Sequence, residues 1–431
     1  MTDKNKKIIE QINSGIIPDG YKKTKVGIVP AEWTSEKFFS FCDVVNGGTP
    51  NTDISDYWNG NIFWCTPTDI TNSGKYIDKT DKKITLKGLK NSSANLLPVN
   101  SILMCSRATI GPRSINTVPM ATNQGFKSLI VDKKKADLLF INEILELCVP
   151  IFIRKSCGST FLELSKKDVG NQLIPFPPLP EQQKIAEILS TQDKLIELYE
   201  RKIEQLKTLK KGYLQKMFPK KGCKYPELRF KGFTEAWEQR KLNSLTLVIT
   251  KGTTPLDKSN SGTVNFIKVE NIDDSSGEIS ISQKISAEEH KGYLKRSQLK
   301  ENDILFSIAG TLGRVTSVHS SILPANTNQA LAIIRLREGN LNFIKTFLKS
   351  QAIANYIKRN PTVGAQPNLS LEQVSNLEIQ LPNIQEQQFI GDYFKSIDNL
   401  IILHQHKLDK EKQKKKALMQ LLLTGKVRVS T

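Results

Sequence analysis

Apolar residues recur every seven positions along two long stretches of the chain, from Glu181 to Phe218 and from Glu386 to Thr424. Both stretches are rich in Leu, Ile, Glu, Lys and Gln and nearly free of Gly and Pro, so each is predicted to be a helix. Five successive heptads of this kind are typical of a coiled coil, and a single amphipathic helix on a globular core is the plainer alternative. The seam positions are Ile185, Leu189, Gln192, Ile196, Tyr199, Ile203, Leu206, Lys210, Tyr213 and Met217 in the first stretch, and Ile390, Phe394, Ile397, Ile401, His404, Leu408, Glu411, Lys415, Leu418 and Leu422 in the second.

A longer region of mixed character precedes each predicted helix. It contains short apolar, β-prone runs, such as Ser101–Cys105, Phe126–Val131 and Ala330–Leu336, separated by Gly, Pro, Asn and Ser. A proline-rich segment, Ile174–Pro180 or Leu381–Pro382, closes each region, as expected just before a helix begins. Each half of the chain is therefore predicted to be a mixed α/β domain followed by one long helix.

The two halves repeat the same short motifs in the same order, which indicates a tandem duplication. Trp33 and Trp237, and Gly111 and Gly313, extend the series with slightly shorter offsets. The motifs that recur with an offset of 205 residues are Thr49-Pro50 and Thr254-Pro255, Asn123-Gln124 and Asn328-Gln329, Leu164-Ser165 and Leu369-Ser370, and Glu181-Gln182-Gln183 and Glu386-Gln387-Gln388.

The length of the link between the halves favours an antiparallel arrangement of the two helices. A helix of about 37 residues is roughly 55 Å long, and the short link from Pro219 to Ala236 would need nearly its full extension to return along it. We therefore predict a mixed α+β fold in which two globular α/β domains are joined by two long antiparallel coiled-coil helices around a pseudo-twofold axis. The predicted boundaries are an N-terminal extension over 1–20, a first domain over 21–180, a first helix over 181–220, a second domain over 221–380, and a second helix with the C-terminal tail over 381–431.

The net charge points to a polyanionic partner. The chain has 62 Lys and Arg against 43 Asp and Glu, a formal charge of +19, and nucleic acid is the first candidate for a protein this basic. No apolar run is long enough to cross a membrane, and the N-terminus lacks the apolar segment of a signal peptide. The six Cys show no Cys-x-x-Cys spacing, so we expect reduced thiols in a cytoplasmic protein without a zinc site.

The sequence lacks the motifs of the common catalytic sites. It contains neither a phosphate-binding loop nor a Gly-x-Gly-x-x-Gly turn for a dinucleotide or a methyl donor. Phe176 precedes Pro177-Pro178, so the segment does not match the loop with which amino-methyltransferases hold a flipped base. His404 and His406 lie two apart on a predicted helix, where their side chains diverge, so a metal pair is not expected. We therefore expect a chain that catalyses nothing and binds neither cofactor nor metal itself.

Basic and polar residues provide candidate contacts to nucleic acid. Both helix ends are rich in Lys, which fits contacts to phosphates, although a solvated face is the plain alternative. Arg is suited to read guanine and Gln to read adenine, although each candidate could be an ordinary loop residue. The candidates are Thr49, Arg107, Arg113, Ser159, Thr160, Thr254, Arg314 and Gln366 in the domains, and Lys211 and Lys416 on the helices.

The order of these motifs resembles the DNA-specificity subunit of type I restriction–modification systems over essentially the whole chain. The specific elements are the Gly-Gly-Thr-Pro opening at 47–50, the Pro-Pro-Leu-Pro-Glu-Gln-Gln segment at 177–183, and the Lys-rich helix ends at 210–218 and 416–426. The resemblance implies that each domain is a target-recognition domain reading one half of a split double-stranded DNA site. It also implies that the helices act as a spacer and hold two methyltransferase subunits.

The same resemblance places the chemistry on other chains. The methyltransferase subunits would carry S-adenosylmethionine and modify adenine, and restriction subunits that translocate and cleave DNA would use ATP and magnesium. The two domains differ strongly between their shared motifs, because the segment from Trp58 to Trp64 has no counterpart near 262–268, and this implies an asymmetric target. The alternatives are a free-standing DNA- or RNA-binding architectural protein or repressor, and a nuclease with an unrecognised site.

Overall fold

The computed structural model describes residues 3–156, 162–257, 259–359 and 368–429. The chain divides into two compact units, one formed by Met1–Ile196 with Lys410–Thr431 and the other by Glu197–Asp409. Each unit contains one mixed α/β domain and a portion of both long helices. In the part of the chain that the structure describes, no helix is both long enough and apolar enough to cross a membrane.

The first domain is built from short strands and helices that precede the first long helix. Its helices are α1 (Asp3–Asn13), α2 (Pro67–Asn72), α3 (Leu86–Lys90), α4 (Leu138–Lys155) and α5 (Lys166–Gly170), and its strands are β1 (Tyr21–Thr24), β2 (Gly27–Pro30), β3 (Thr34–Lys37), β4 (Cys42–Asn46), β5 (Trp58–Cys65), β6 (Tyr76–Ile77), β7 (Lys82–Ile84), β8 (Ser101–Arg107), β9 (Thr109–Asn116), β10 (Met120–Thr122), β11 (Phe126–Val131) and β12 (Leu173–Phe176). The first long helix is α6 (Leu179–Lys216).

The second domain follows α6 with a similar succession of elements. Its strands are β13 (Glu238–Lys241), β14 (Thr246–Lys251), β15 (Val264–Ile267), β16 (Gln283–Ile285), β17 (Ile304–Ser307), β18 (Val315–Ser317), β19 (Ala325–Thr327), β20 (Leu331–Leu336) and β21 (Glu378–Leu381), and its helices are α7 (Ala287–Lys291), α8 (Leu341–Phe347), α9 (Gln351–Arg359) and α10 (Leu371–Ser375). The second long helix is α11 (Ile384–Leu422).

The two domains share a sheet topology, to which the first adds a fifth strand, β6, at the edge of its larger sheet. The order β4-β11-β8-β9-β6 in the first domain corresponds to β14-β20-β17-β18 in the second, and β10-β5-β7 corresponds to β19-β15-β16. The pair β12-β3, which joins the two ends of the first domain, corresponds to β13-β21. The duplication read from short motifs is therefore also a duplication of strand order.

Each long helix is shifted two residues toward the N-terminus relative to the prediction. Proline is tolerated in a first helical turn because its missing N–H would have no partner there, and α6 accordingly includes Pro180. After α6 ends, Met217 and Phe218 turn into the core of the second unit, where they are buried. After α11 ends, Gly425 adopts a φ of +71° and packs against Pro30, and a Cβ at this position would clash.

The repeated Glu-Gln-Gln motif ties each long helix to its domain. Gln182 accepts from the backbone N–H of Asp137 and donates to the carbonyl of Pro177, both at 2.9 Å. Gln387 makes the matching bonds in the second unit, to Asn340 at 3.0 Å and Pro382 at 2.9 Å. These contacts account for the middle Gln of the motif.

The predicted seam positions lie inside the two cores or close to them. Every one is buried or half-buried, including the polar positions Gln192, Lys210 and Lys415. In the first unit Ile185 and Leu189 of α6 share a core with the C-terminal part of α11, and in the second unit Ile390 and Phe394 of α11 share a core with residues that follow α6. In the first unit the start of α6 packs near the end of α11, and in the second unit the end of α6 packs near the start of α11. The two helix portions within each unit therefore run in opposite directions.

Candidate functional site

One end of the main sheet in the first domain gathers polar side chains from four separate segments. The hydroxyl of Thr49 contacts the side-chain oxygen of Gln124, and the backbone N–H of Ser106 donates to the carbonyl of Gly125 at 2.7 Å. Arg107 at the end of β8 forms an isolated bridge with Glu163. We call Thr49, Gln124, Arg107 and Glu163, with Lys127 at the start of β11, the loop edge of the first domain.

The second domain builds its loop edge from the matching positions. Thr254 contacts Gln329 as Thr49 contacts Gln124, and both pairs span 75 residues. Ala309 pairs with Asn368 where Arg107 pairs with Glu163. The turns after these strands also match, since Ala108 and Gly310 both have positive φ, at 61° and 72°.

The two loop edges differ in charge at matched places. In the first domain, Arg107 Nε lies 3.8 Å and Lys127 Nζ 3.6 Å from the carboxylate of Glu163. In the second domain the equivalent positions are Ala309, Ala332 and Asn368, which carry no charge. The same backbone therefore presents two cations and one anion in one domain and none in the other.

Arg107 and Lys127 differ in how far they reach solvent. The Arg107 side chain is 44% exposed, whereas that of Lys127 is 8% exposed. Burial lowers the pKa of Lys127, and Glu163 opposes that shift. Arg107 is thus the cation available to a ligand, and Glu163 is shared between the exposed guanidinium and the buried ammonium.

Arg113 and Arg314 are engaged inside their own domains. The Arg113 guanidinium donates to the carbonyl of Asn142 at 3.1 Å and to the Glu146 carboxylate at 3.0 Å, and its side chain is only 11% exposed. The Arg314 guanidinium donates to the carbonyls of Val269 and Ile272 at 3.0 and 2.9 Å. Both were predicted as candidate ligand contacts, and both hold neighbouring elements together in this structure.

The remaining predicted site residues fall into two groups. Ser159, Thr160 and Gln366 lie outside the described residues. Lys211 and Lys416 are exposed on the C-terminal portions of α6 and α11. As site residues, all of these stay predictions.

A pair of ionic contacts on the long helices follows the repeat. Lys415 Nζ lies 2.6 Å from Asp193 in the first unit, and Lys210 Nζ lies 2.5 Å from Asp398 in the second. In the first unit Glu143 and Lys75 complete the cluster, at 2.9 Å from Lys415 and 3.1 Å from Asp193 respectively. Burial lowers the pKa of Lys75, but the two carboxylates outweigh it and the net shift is upward.

Two further lysines of the second unit lie near Lys210 and Asp398. Lys349 of the second unit has its Nζ enclosed without a hydrogen-bond partner among the described residues. Burial, reinforced by Lys210, lowers the pKa of Lys349 to about 7. Lys345 lies one helical turn earlier, and burial also lowers its pKa.

Lys127 and Glu163 were not predicted as site residues. The lysine inside the apolar run Phe126–Val131 could have indicated this site, because a buried strand position rarely holds an ammonium that is not paired. Glu163 lies just before the Leu164-Ser165 motif, but nothing local to the sequence links it to Arg107.

Comparison with known proteins settles the family. The model of the type I restriction modification DNA specificity domain matches residues 30–208 and again 234–412. The chain belongs to this family. Its role is DNA recognition within a type I restriction–modification system, as predicted, and nothing in the comparisons favours a free-standing repressor or indicates a catalytic enzyme family.

Relatives of known type are specificity subunits of the same class. A type I restriction enzyme specificity subunit of Methanocaldococcus jannaschii, MjaIX, is 32% identical over 243 residues, which cover 54% of this chain and 56% of the relative. A second subunit of that organism, MjaVIII, is 26% identical over 93% of this chain and 94% of its own length. The Escherichia coli EcoBI specificity subunit is 25% identical over 81% of this chain and 70% of its own length.

Solved structures of type I systems have a similar fold. The S subunit of the type I system from M. genitalium superposes with a TM-score of 0.54 at 16% identity, over 93% of this chain and 97% of that one. A chain from a structure of type I R-M complex assembly gives the same score and identity over 93% of this chain and 99% of that one. The two successive family matches agree with the repeated sheet topology of this specificity subunit.

Proposed function

We propose that this specificity subunit reads a split, asymmetric site in double-stranded DNA, one half with each domain. The observation that carries the proposal is the contrast between the loop edges. They share strand order and the Thr–Gln contact. However, the positions of Arg107 and Glu163 in the first domain are occupied by Ala309 and Asn368 in the second. Two domains that share a backbone arrangement but present different side chains are suited to read two different half-site sequences.

Within this proposal the candidate residues divide into base readers and phosphate contacts. Arg107 reads a guanine in the first half-site, because an exposed guanidinium at a turn can donate to both acceptors on the major-groove edge of that base. Lys211 and Lys416 contact phosphates, which supply affinity without sequence information. Thr49, Thr254, Ser159, Thr160 and Gln366 contribute to the DNA-facing loops, whereas Arg113 and Arg314 position their domains' elements.

We further propose that α6 and α11 form an antiparallel coiled coil that sets the gap between the half-sites. The support is that polar seam positions pair across the two helices within each unit. Gln192 Nε2 donates to the Glu411 carboxylate at 2.6 Å in the first unit, and the Tyr199 and His404 rings lie 5.8 Å apart in the second. Paired polar groups in an apolar seam fix the register of a coiled coil.

The chemistry is assigned to partner subunits that assemble in the cytoplasm. Two methyltransferase subunits would bind S-adenosylmethionine and modify adenine, and restriction subunits would use ATP and magnesium. This chain would contribute specificity and no catalytic group. The support is the family membership and the specificity-subunit relatives, together with the missing donor-binding motifs.

Methylation mapping tests the proposal directly. Cells that express this chain with its methyltransferase subunits should show adenine methylation at one split motif with two different halves. The purified chain alone should methylate nothing with S-adenosylmethionine and cleave nothing with magnesium. A continuous or palindromic motif, or turnover by the chain alone, would refute it.

A further inference from the structure

The second domain contains a polar cavity beside its loop edge. Its volume is about 640 Å³, and its floor includes Phe266 of β15 and Pro255. Thr254 and Asn328 line one side, so the cavity adjoins the loop edge of this domain. Lys268, Glu270, Gln283 and Asn260 complete the rim.

The wall of this cavity has one phenyl ring where the first domain has two packed indoles. Phe266 pairs with Asn326, and Trp64 pairs with Ala121. Because Asn326 and Ala121 occupy the same place in the two repeats, Phe266 and Trp64 are equivalent positions. Trp64 donates its indole N–H to the carbonyl of Gly48 at 2.9 Å and packs edge-on against Trp58, with ring centroids 5.0 Å apart. The matching segment 256–262 has no aromatic residue and therefore no counterpart of Trp58.

The groups on the rim also differ from those in the first domain. Gln283 is the register partner of Phe266, and the corresponding partner of Trp64 is Lys82. Lys268 directly follows β15, and Thr66 occupies that position after β5. Residues that determine specificity are expected to differ between two domains that share a fold, and these rim residues do differ.

Three of the rim side chains, those of Lys268, Asn328 and Gln283, keep polar groups that can meet a ligand. Lys268 Nζ is 3.9 Å from the Glu270 carboxylate, and the two side chains are 35% and 69% exposed. Asn328 accepts from the backbone N–H of Ala330 at 3.2 Å, which leaves its amide NH₂ as a donor. The side-chain amide of Gln283 makes no hydrogen bond among the described residues.

We propose that this cavity is the base-reading site of the second domain, and that Gln283 and Lys268 contact the major-groove edges of purines in the second half-site. A carboxamide can both accept from and donate to adenine, and an ammonium donates to the acceptors of guanine. The site is distinct from the charged loop edge that reads the first half-site. This inference rests on the proposed function, because it presupposes two separately read half-sites.

The test uses the complete methyltransferase complex in cells without restriction subunits, so that relaxed specificity is not harmful. Gln283→Leu and Lys268→Met each remove the polar group while keeping most of the side-chain volume. Each should relax one position of the second half-site by about tenfold or more, with the first half-site unchanged. Lys284→Met is the matched control, because the next residue on β16 faces away from the cavity and carries the same charge as Lys268.

The outcomes separate this inference from the proposed function. If the parent complex gives a split motif and both variants retain it unchanged, the cavity does not read bases. If Lys268→Met instead weakens binding of every sequence and lowers the salt slope by about one, that residue contacts phosphate and the inference is wrong for it. If the parent complex gives no split motif, the proposed function itself has failed. Melting of each purified variant complex near the parent temperature would show that the domain is intact.

Discussion

Arg107 and Arg113 are six positions apart in the sequence, and only their surroundings distinguish them. Arg107 is 44% exposed and held loosely by Glu163, whereas Arg113 is bonded to Gly111, Asn142 and Glu146. The residue type alone suggested base reading for both. Hydrogen bonds to helix α4, formed by residues more than 25 positions away, could not be foreseen from the strand that carries Arg113.

Substituting these two arginines should have opposite effects. Arg107→Gln should relax one position of the first half-site, at a cost of about 1–3 kcal/mol in discrimination, with little change in stability. Arg113→Gln should keep the motif and lower the free energy of unfolding by about 1–3 kcal/mol, because buried acceptors lose their donor. Methylation mapping and thermal melting of the two variants measure the two effects. An even loss of methylation at all sites for Arg107→Gln would instead identify a phosphate contact.

Lys349 is a second residue whose environment decides its behaviour. Its pKa is lowered to about 7, first by burial and then by Lys210, while Asp398 pulls it upward and Lys345 downward. The unfolded chain therefore binds more protons than the folded one between about pH 7 and pH 10, and the stability contributed by this residue rises with pH across that window.

Lys349→Met should therefore stabilise the second unit, by roughly 1–4 kcal/mol near pH 7, since an uncompensated buried ammonium is removed. The advantage over the parent chain should shrink as the pH is raised toward 10. Calorimetric unfolding at both pH values gives the difference, with the exposed Lys291→Met as control. A constant difference at both pH values would show that the pKa of Lys349 is the same in the folded and unfolded chains, as for a solvated ammonium.

Among the secondary-structure elements, the long helices were the easiest to predict. Their seven-residue pattern is a property of the chain itself, and their bounds were wrong by only two residues at each end. Strands such as β11 were predicted from short apolar runs with similar success. The turns were not, because the positive φ of Ala108 depends on long-range pairing and Ala rarely adopts it by itself.

Lengthening both helices tests their proposed role as a spacer. Adding one heptad after Lys202 in α6 and one after Ile402 in α11 preserves the apolar seam and lengthens each helix by about 10 Å. At about 3.4 Å per base pair, the gap between half-sites should grow by about three pairs while both half-site sequences stay the same. Methylation mapping reads the gap directly. Retention of the original gap would assign the spacing to the partner subunits.

At the scale of the whole molecule, the duplication makes each domain a replaceable part. The strands β3 and β12 pair with each other, so both ends of the intervening chain leave the first domain side by side. Residues 38–172 can therefore be exchanged for those of another family member without disturbing this pair. The core residues Ile185 and Leu189 of α6 also lie outside the exchanged segment.

Such an exchange should change the first half-site alone. The second half-site and the gap should persist, because neither β13–β21 nor the long helices are altered. Methylation mapping of the chimera gives the new motif, and the reciprocal exchange in the second domain serves as its control. A simultaneous change in both halves would mean that the domains do not read DNA independently.

The two units also differ in when they can be completed during protein synthesis. The second unit is one uninterrupted stretch, Glu197–Asp409, whereas the first needs Lys410–Thr431 in addition to Met1–Ile196. Met419, Leu422 and Leu423 belong to the core of the first unit, so that core lacks part of its apolar packing until residues 410–423 have been synthesised. The second domain is synthesised after the first, but its unit is the first to have all of its residues available for folding. A stop codon just before Met419 would damage the first domain, although the residues it removes follow the whole second domain in the sequence.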